Sequence, residues 1–328
     1  MTNLNQASHS RSLNAYAYEA IATHLQTVIQ HEADVLADTD PEAIHQMRVG
    51  LRRLRTTLEV YGRVLKLPKA GQEKRIKKLA RVLGKVRDID VLQKRLSEQY
   101  RSHLPKSEQK KLDNMLRHLH QQRKSDYSKL KKTFKGKPYR QFKLAYVQWL
   151  NEPCYTPLAA YTIEQVLPDL LLPLMGELML HPGWLAGQTL HPDLTESTDL
   201  SHWLDQEGII LHSLRKQIKR VRYQTEFLMP FYSSAYKKHV EKISTIQGVL
   251  GQIQDCWVLN QTLIEIVGKK WQHRLPTLAA KLQGDRQELW KSWYPLQQQY
   301  LDSEVRNELR LLIAQPQAPQ TESSRSDL

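Results

Sequence analysis

Residues 45–59 read HQMRVGLRRLRTTLE and residues 212–226 read HSLRKQIKRVRYQTE, and these two stretches decide the fold. The second stretch starts 167 positions after the first and keeps its histidine, most of its basic residues and its final glutamate. A second motif, with Leu83-Gly84, Asp88 and Val91-Leu92, returns at the same spacing as Leu250-Gly251, Asp255 and Val258-Leu259. Two motifs repeated at one spacing indicate a duplicated structural unit. Packing a core requires neither a histidine nor a row of cations, so the duplication preserves these residues for another purpose.

The apolar residues of each stretch predict an amphipathic helix. In the first stretch they recur at alternating steps of three and four residues, at Ile44, Met47, Leu51, Leu54, Leu58 and Tyr61. Asp40-Pro41 is a suitable start, because aspartate caps helices and proline is favoured in the first turn. The copy repeats this apolar seam at Leu211, Leu214, Ile218, Val221 and Leu228.

A polar stripe runs along the edge of each apolar seam. At about 100° per residue, the first stripe contains His45, Arg48, Arg52, Arg55 and Glu59, and the second contains His212, Arg215, Lys219, Arg222 and Glu226. Arg53 points away from both the seam and the stripe. Arginine beside a core is partly desolvated, which strengthens its attraction for phosphate oxygens. We expect Glu59 and Glu226 to hold the last arginine of each stripe by ion pairing.

The next helix adds basic residues in the first copy only. Lys74, Lys77, Arg81 and Lys85 share one face with Asp88, and Lys78 lies beside them, whereas most of the corresponding residues after position 240 are neutral. Asp88 and Asp255 persist in both copies, and we expect each to orient an arginine of the neighbouring helix. An ion pair that only fixes helix packing is the alternative. Gly84 and Gly251 are expected to allow a close approach between helices.

The remaining sequence predicts an all-α protein of two four-helix bundles related by an internal pseudo-twofold. No strand-length alternating run occurs, and helices are expected at about 15–31, 41–67, 72–100, 106–133, 139–150, 158–180, 208–229, 234–266 and 275–312. The first bundle should cover 13–150 and the second 151–312, with an acidic insertion at 181–207. Residues 1–12 and 313–328 are expected to be disordered.

Composition and charge limit the function. The 328 residues contain only two cysteines, no uninterrupted apolar segment long enough to cross a bilayer and no apolar core typical of a secretory signal, so a cytoplasmic protein without a membrane partner is expected. The net charge is +14, but residues 45–145 alone contain 30 Lys and Arg against 8 Asp and Glu. Such segregation favours a polyanionic partner such as nucleic acid, phosphoinositide or inorganic polyphosphate. A solvated, charged helix face is the alternative.

The repeated motif pair resembles the CHAD (conserved histidine α-helical domain) family, over about residues 13–312. The resemblance implies two four-helix bundles flanking a basic channel or groove that binds inorganic polyphosphate, as a stand-alone binding module. Storage, targeting to polyphosphate granules and regulation are the alternative roles of that binding. The sequence departs from the family pattern in two places. The third helix of the second copy is nearly neutral, which argues against an even sharing of the ligand between the halves, and the acidic insertion is placed to shield one face. The implied binding residues are His45, Arg48, Arg52, Arg53, Arg55, Lys74, Lys77, Lys78, Arg81, His212, Arg215, Lys216, Lys219, Arg220, Arg222 and Tyr223, supported by Glu59, Asp88, Glu226 and Asp255.

Other functions are weighed against the same residues. His45 and His212 lack a second ligand at metal-binding spacing on their helix face, so no metal and no cofactor are expected. Each histidine can donate to a phosphate oxygen or only pack. The sequence has no Walker loop, paired-carboxylate metal site or nucleophile elbow, so we expect no enzyme. Nonspecific nucleic-acid binding is the main competitor, although aromatic residues are not interleaved with the basic stripes.

Overall fold

The computed structural model describes residues 12–187 and 198–317, and this part of the chain is helical. It contains no named strand, only two isolated antiparallel bridges, Ser12 with Thr162 and Leu65 with Tyr155. The all-α prediction is therefore confirmed. The helices are α1 (Leu13–Gln30), α2 (Glu32–Ala37), α3 (Pro41–Tyr61), α4 (Glu73–Arg95), α5 (Lys106–Lys135), α6 (Lys137–Asn151), α7 (Ile163–Met179), α8 (Thr198–Phe227), α9 (Ser234–Val267), α10 (Trp271–Arg274), α11 (Pro276–Leu301) and α12 (Ser303–Ala314).

The helices form two compact units that are not contiguous in sequence. The first contains the described residues up to Thr162 together with Leu259–Lys281, and the second contains Ile163–Val258 and the described residues from Leu282 onward. The expected bundles, 13–150 and 151–312, were contiguous. Residues near 277 belong to the first unit because the buried Glu108 carboxylate accepts hydrogen bonds from the Thr277 and Leu278 amides, at 3.0 and 3.1 Å. A carboxylate at a helix N-terminus satisfies otherwise unpaired amides and is favoured by the helix dipole. The pseudo-twofold stays a prediction.

In the first unit, α3 begins at Pro41 as the sequence predicted, but it ends at Tyr61 and not at residue 67. Asp40 Oδ1 accepts a hydrogen bond from the Glu42 amide at 2.8 Å and so caps the helix. The seam residues Ile44, Met47, Leu51 and Leu54 are completely buried. Helix α1 packs closely on the other side, where a Cβ built on Gly50 would lie 3.0 Å from Val28 Cγ2. The edge of α3 that remains accessible carries the first stripe.

In the second unit, α8 begins earlier than the sequence predicted. The segment 181–207 was expected to be a long connection, but Pro182–Leu185 forms a 3-10 turn and α8 already begins at Thr198. The reason is that Leu200 and Leu204 extend the apolar seam of α8 by about three turns and are buried. Residues 188–197 of the expected insertion lie outside the described part.

The end of the chain also differs from the expectation. The single helix expected at 275–312 is divided by Asp302, whose Oδ1 caps α12 by accepting from the Glu304 amide at 2.6 Å. The disordered tail does not begin at 313, because Ile313 is fully buried and the Gln317 amide donates to the Phe231 carbonyl at 2.8 Å. The expected disorder of 1–11 and 318–328 concerns residues outside the described part.

None of the described helices combines the length and the apolar character that crossing a membrane would require.

Candidate functional site

The first stripe lies along α3 at the boundary between the core and the surface. His45, Arg48, Arg52, Arg55 and Glu59 are all half-buried, whereas Arg53 is exposed. This placement follows from the helix geometry, because each stripe residue is next to a buried seam residue. The cations therefore retain access to a ligand while losing part of their hydration.

The Arg55 guanidinium joins two helices through carboxylates. Arg55 Nη2 donates to Glu59 Oε1 at 2.8 Å, and Arg55 Nε donates to Glu73 Oε1 at 2.9 Å. Lys77 Nζ lies 2.7 Å from the same Glu73 oxygen. Burial favours the neutral acid, yet the hydrogen bonds from Lys77 and Arg55 hold the pKa of Glu73 below its usual range. Sequence reasoning missed Glu73, although its position four residues before Lys77 signals an ion pair.

Arg48 and Arg215 occupy equivalent positions over a glycine of the next helix. A Cβ on Gly84 would lie 3.7 Å from Arg48 Nη1, and one on Gly251 would lie 3.5 Å from Arg215 Nε. Both distances are ordinary van der Waals contacts with a guanidinium group, and no backbone of another described helix is that near, whereas the expectation was a close helix approach. Within the described residues, neither arginine forms an ion pair with a carboxylate, and Arg215 Nε is buried without a hydrogen-bond partner.

His45 lies in a strongly positive environment. Burial and the nearby charges of Arg87, Arg48 and Arg52 lower the pKa of its imidazole, and Glu42 opposes this effect. Arg87 comes from α4 and was not among the predicted residues. The motif comparison could have drawn attention to it, since it precedes Asp88 directly in sequence.

The second stripe, on α8, resembles the first but is held by different partners. Arg222 Nε pairs with Glu226 Oε1 at 3.0 Å, as Arg55 pairs with Glu59. Across the helix interface, Arg222 Nη1 donates to Ser244 Oγ at 3.0 Å. Ser244, which corresponds in the repeat to Lys77, is neutral. The cross-helix contact of Arg222 therefore carries no negative charge, whereas that of Arg55 is made to Glu73. The Arg222 guanidinium also lies 5.1 Å from the centre of the Tyr223 ring.

His212 is held by a neutral side chain. Burial and the charges of Lys216 and Arg215 lower the pKa of His212, while a hydrogen bond with Gln254 raises it. Gln254 is the residue that corresponds to Arg87 in the repeat. His212 Nδ1 is buried and has no hydrogen-bond partner among the described residues. The two motif histidines thus have different electrostatic surroundings.

The other predicted residues are mostly exposed. Lys74, Lys77, Lys78 and Arg81 on α4 are exposed, as are Asp88, Asp255 and Lys216, and Lys219 is half-buried. Arg220 Nη1 forms an ion pair with Glu177 Oε2 of α7 at 3.3 Å. Arg220 and its counterpart Arg53 are thus set apart from the line of each stripe. Within residues 12–187 and 198–317, no three His, Cys, Asp or Glu side chains are grouped as ligands for a metal ion.

Comparison with known proteins gives the same family as the motifs. The chain is similar in fold to the crystal structure of the CHAD domain from the plant Ricinus communis, with 21% identity, a TM-score of 0.56 and 94% of each chain covered. It is also similar to PptA from Streptomyces chartreusis, with 14% identity, a TM-score of 0.61, and 88% of this chain and 100% of the other covered. No curated protein matches the sequence. The family model of the CHAD domain matches residues 19–264, which include both motif copies, and the chain therefore belongs to the CHAD domain family.

Proposed function

We propose that this protein binds inorganic polyphosphate through the two stripes and does not transform it. The observation that carries the proposal is the pair Arg48 and Arg215. Both guanidinium groups are half-buried, both lie over a glycine, and neither has a carboxylate partner among the described residues. A partly desolvated guanidinium without a counter-charge favours an anion, and phosphate oxygens match its fork of donors.

The arrangement supports an extended anion better than a small one. Arg48, Arg52 and Arg55 span roughly 10 Å along α3, at about 1.5 Å per residue. Lys77 and Arg81 of α4 add exposed positive charges in the first copy. A polymer of phosphates can contact several of these groups at once, so the contacts reinforce one another. The expectation that both stripes line one channel remains a prediction.

The test is calorimetric titration with long-chain polyphosphate at fixed salt. Arg48→Ala and Arg215→Ala should each weaken binding about tenfold or more, because a charge-assisted contact contributes about 1.5–3 kcal/mol. Arg101→Ala is the matched control, since it removes the same charge from an exposed ion pair with Asp113. Equal affinities across these variants would reduce the stripes to solvated helix faces.

Two further measurements separate the alternatives. A duplex DNA that binds more tightly than polyphosphate, and loses affinity with Arg48→Ala, would favour nucleic acid as the ligand of the stripes. Incubation followed by gel analysis should leave the polyphosphate length distribution unchanged, since the proposal is binding without turnover. Shortening of the polymer by the wild type that disappears with Arg48→Ala would contradict that part of the proposal.

A further inference from the structure

A separate row of basic residues lies on the outer face of α5. Lys110, Arg117, Lys124 and Lys131 are all exposed and are spaced seven residues apart. Because seven residues make almost two helical turns, such residues form a nearly straight line with a drift of about 20° per step. Neither stripe contains any of these four residues, which we call the outer row. Lys132 and Lys135, also exposed, lie beside its end.

No carboxylate neutralises the outer row in the described structure. The three acidic residues of α5 are engaged elsewhere. Glu108 is buried against the Thr277 and Leu278 amides, Asp113 pairs with Arg101, and Asp126 pairs with Lys129. Arg123, which lies inward, is paired with Asp38 and Asp90. The outward-facing cations therefore keep their full charge.

The sequence repeat provides an internal comparison. At the offset of 167, the outer row corresponds to Thr277, Gly284, Lys291 and Gln298 of α11. Only one of these is basic, and Lys291 Nζ is paired with Glu288 Oε1 at 3.0 Å. A helix at the same position in the repeat thus forms without this charge. Neither helix formation nor core packing accounts for the outer row.

The chemistry of the face indicates the class of partner. Exposed Asn114, Gln121, Ser125 and Ser128 alternate with the cations, and such side chains contact phosphate and sugar oxygens. None of the large exposed apolar residues of the described chain belongs to α5. This face therefore offers no large apolar side chain that could stack on a base or insert into a membrane. From Lys110 to Lys131 the outer row extends about 32 Å along the helix axis, which matches roughly 9 base pairs of duplex. A rigid rod on a rigid helix loses less conformational entropy than a flexible polymer would.

We propose that the outer row, none of whose residues belongs to either stripe, binds the phosphate backbone of double-stranded nucleic acid without sequence preference. Solvated lysines act as point charges and suit this kind of contact. Binding of this type releases counterions and weakens steeply as salt rises.

The experiment measures fluorescence anisotropy of a labelled 24-base-pair duplex of mixed sequence, from about 50 to 200 mM salt. The full chain is compared with a K110Q/R117Q/K124Q/K131Q variant. Each lost phosphate contact should reduce the slope of log affinity against log salt by about 0.9, so the quadruple variant should lose about three to four units of slope. The control K237Q/K238Q/K242Q/K270Q removes the same number of exposed positive charges elsewhere and should keep the slope. Helical circular dichroism confirms that both variants are folded.

Several results would overturn the proposal. The proposal is wrong if the wild type does not bind the duplex at 50 mM salt. It is also wrong if the control variant or Arg48→Ala loses as much of the salt slope as the quadruple variant does. If phosphatidylserine vesicles bind the protein more tightly than the duplex does, and the quadruple variant loses that binding, the partner of the outer row is a membrane surface. If the quadruple variant loses as much affinity for polyphosphate as it loses for the duplex, the outer row belongs to the polyphosphate site. Because duplex binding is read independently, these results stand whether or not the wild type binds polyphosphate.

Discussion

At the scale of single residues, the stripes differ in how much of their charge is already neutralised. Arg55 is held by Glu59 and Glu73, and Arg222 by Glu226 and a serine hydroxyl. Arg48 and Arg215, by contrast, have no carboxylate partner in the described structure. An incoming anion therefore competes with two carboxylates for Arg55 in the first copy, but with only one for Arg222 in the second. Glu73 competes with the ligand for Arg55 and Lys77.

Removing that competitor should strengthen binding. We expect Glu73→Gln to increase polyphosphate affinity about three- to tenfold, since it releases Arg55 and Lys77 from one negative charge while preserving shape. Asp113→Asn is the matched control, because it removes the same charge from the ion pair of Asp113 with Arg101, which is remote in sequence from the stripe. Calorimetry with both variants measures the effect. If Asp113→Asn strengthens binding equally, net charge alone is responsible.

The two motif histidines should also respond differently to pH. In the free protein the pKa of His45 lies below its usual value, so the imidazole is largely neutral near pH 7. A bound polyanion would raise that pKa, and binding should then take up a proton and strengthen as the pH falls from 7 towards 5. Titration in two buffers of different ionisation enthalpy counts the proton.

His45→Gln should remove more of this proton uptake than His212→Gln, because the pKa of His212 is lowered too but a hydrogen bond with Gln254 opposes that lowering. Arg87→Gln reproduces the second-copy environment in the first copy and should reduce the uptake by raising the pKa of His45 in the free protein. Loss of the uptake in His212→Gln alone would contradict the assignment.

At the scale of helices, two glycines of the first unit have different roles. Gly50 allows α1 to pack on α3, since a Cβ there would lie 3.0 Å from Val28 Cγ2 and 3.1 Å from Thr27 Cγ2. Gly84 faces only the flexible end of Arg48, at an ordinary contact distance of 3.7 Å. The helix interface therefore depends on the first glycine and not on the second.

The same substitution at both glycines separates these roles. Alanine gains about 1 kcal/mol of helix propensity over glycine at either site. At Gly84 this gain should be realised, so Gly84→Ala should stabilise the fold slightly. At Gly50 the crowding against Val28 should cost about 1–3 kcal/mol, which makes Gly50→Ala the less stable of the two variants. Urea unfolding measures the difference, and equal midpoints would disprove the close approach.

At the scale of the whole molecule, positive charge is concentrated in residues 45–145, which lie entirely in the first unit. This concentration affects groups outside the stripes. His24 on α1 is buried, and burial together with the charge of Arg53 lowers its pKa to about 4. A histidine of the unfolded chain titrates near 6.5. The fold therefore excludes a proton that the unfolded chain accepts.

Stability should fall as the solution is acidified through this interval. Above pH 6.5 His24 is neutral in both states, so its contribution is fully present there. Between pH 6.5 and about 4 only the unfolded chain is protonated, and the fold should lose about 3 kcal/mol. His24→Gln should remove this part of the pH dependence, and His103→Gln, at an exposed site, should not. Denaturant unfolding at pH 7, 5.5 and 4.5 gives the comparison.

The sequence by itself determined the helical class, the seams of α3 and α8, the Asp40 cap and the candidate stripes. These features depend on residues a few positions apart, so helical periodicity is sufficient to find them. Only the tertiary structure identified Glu73, Arg87, Gln254 and Ser244 as partners of the stripes, and Thr277 as part of the first unit. Their partners lie between 18 and 169 positions away along the chain. No local pattern encodes which helices pack together, because that choice depends on the burial of whole faces and on pairs of charges brought together only by the fold.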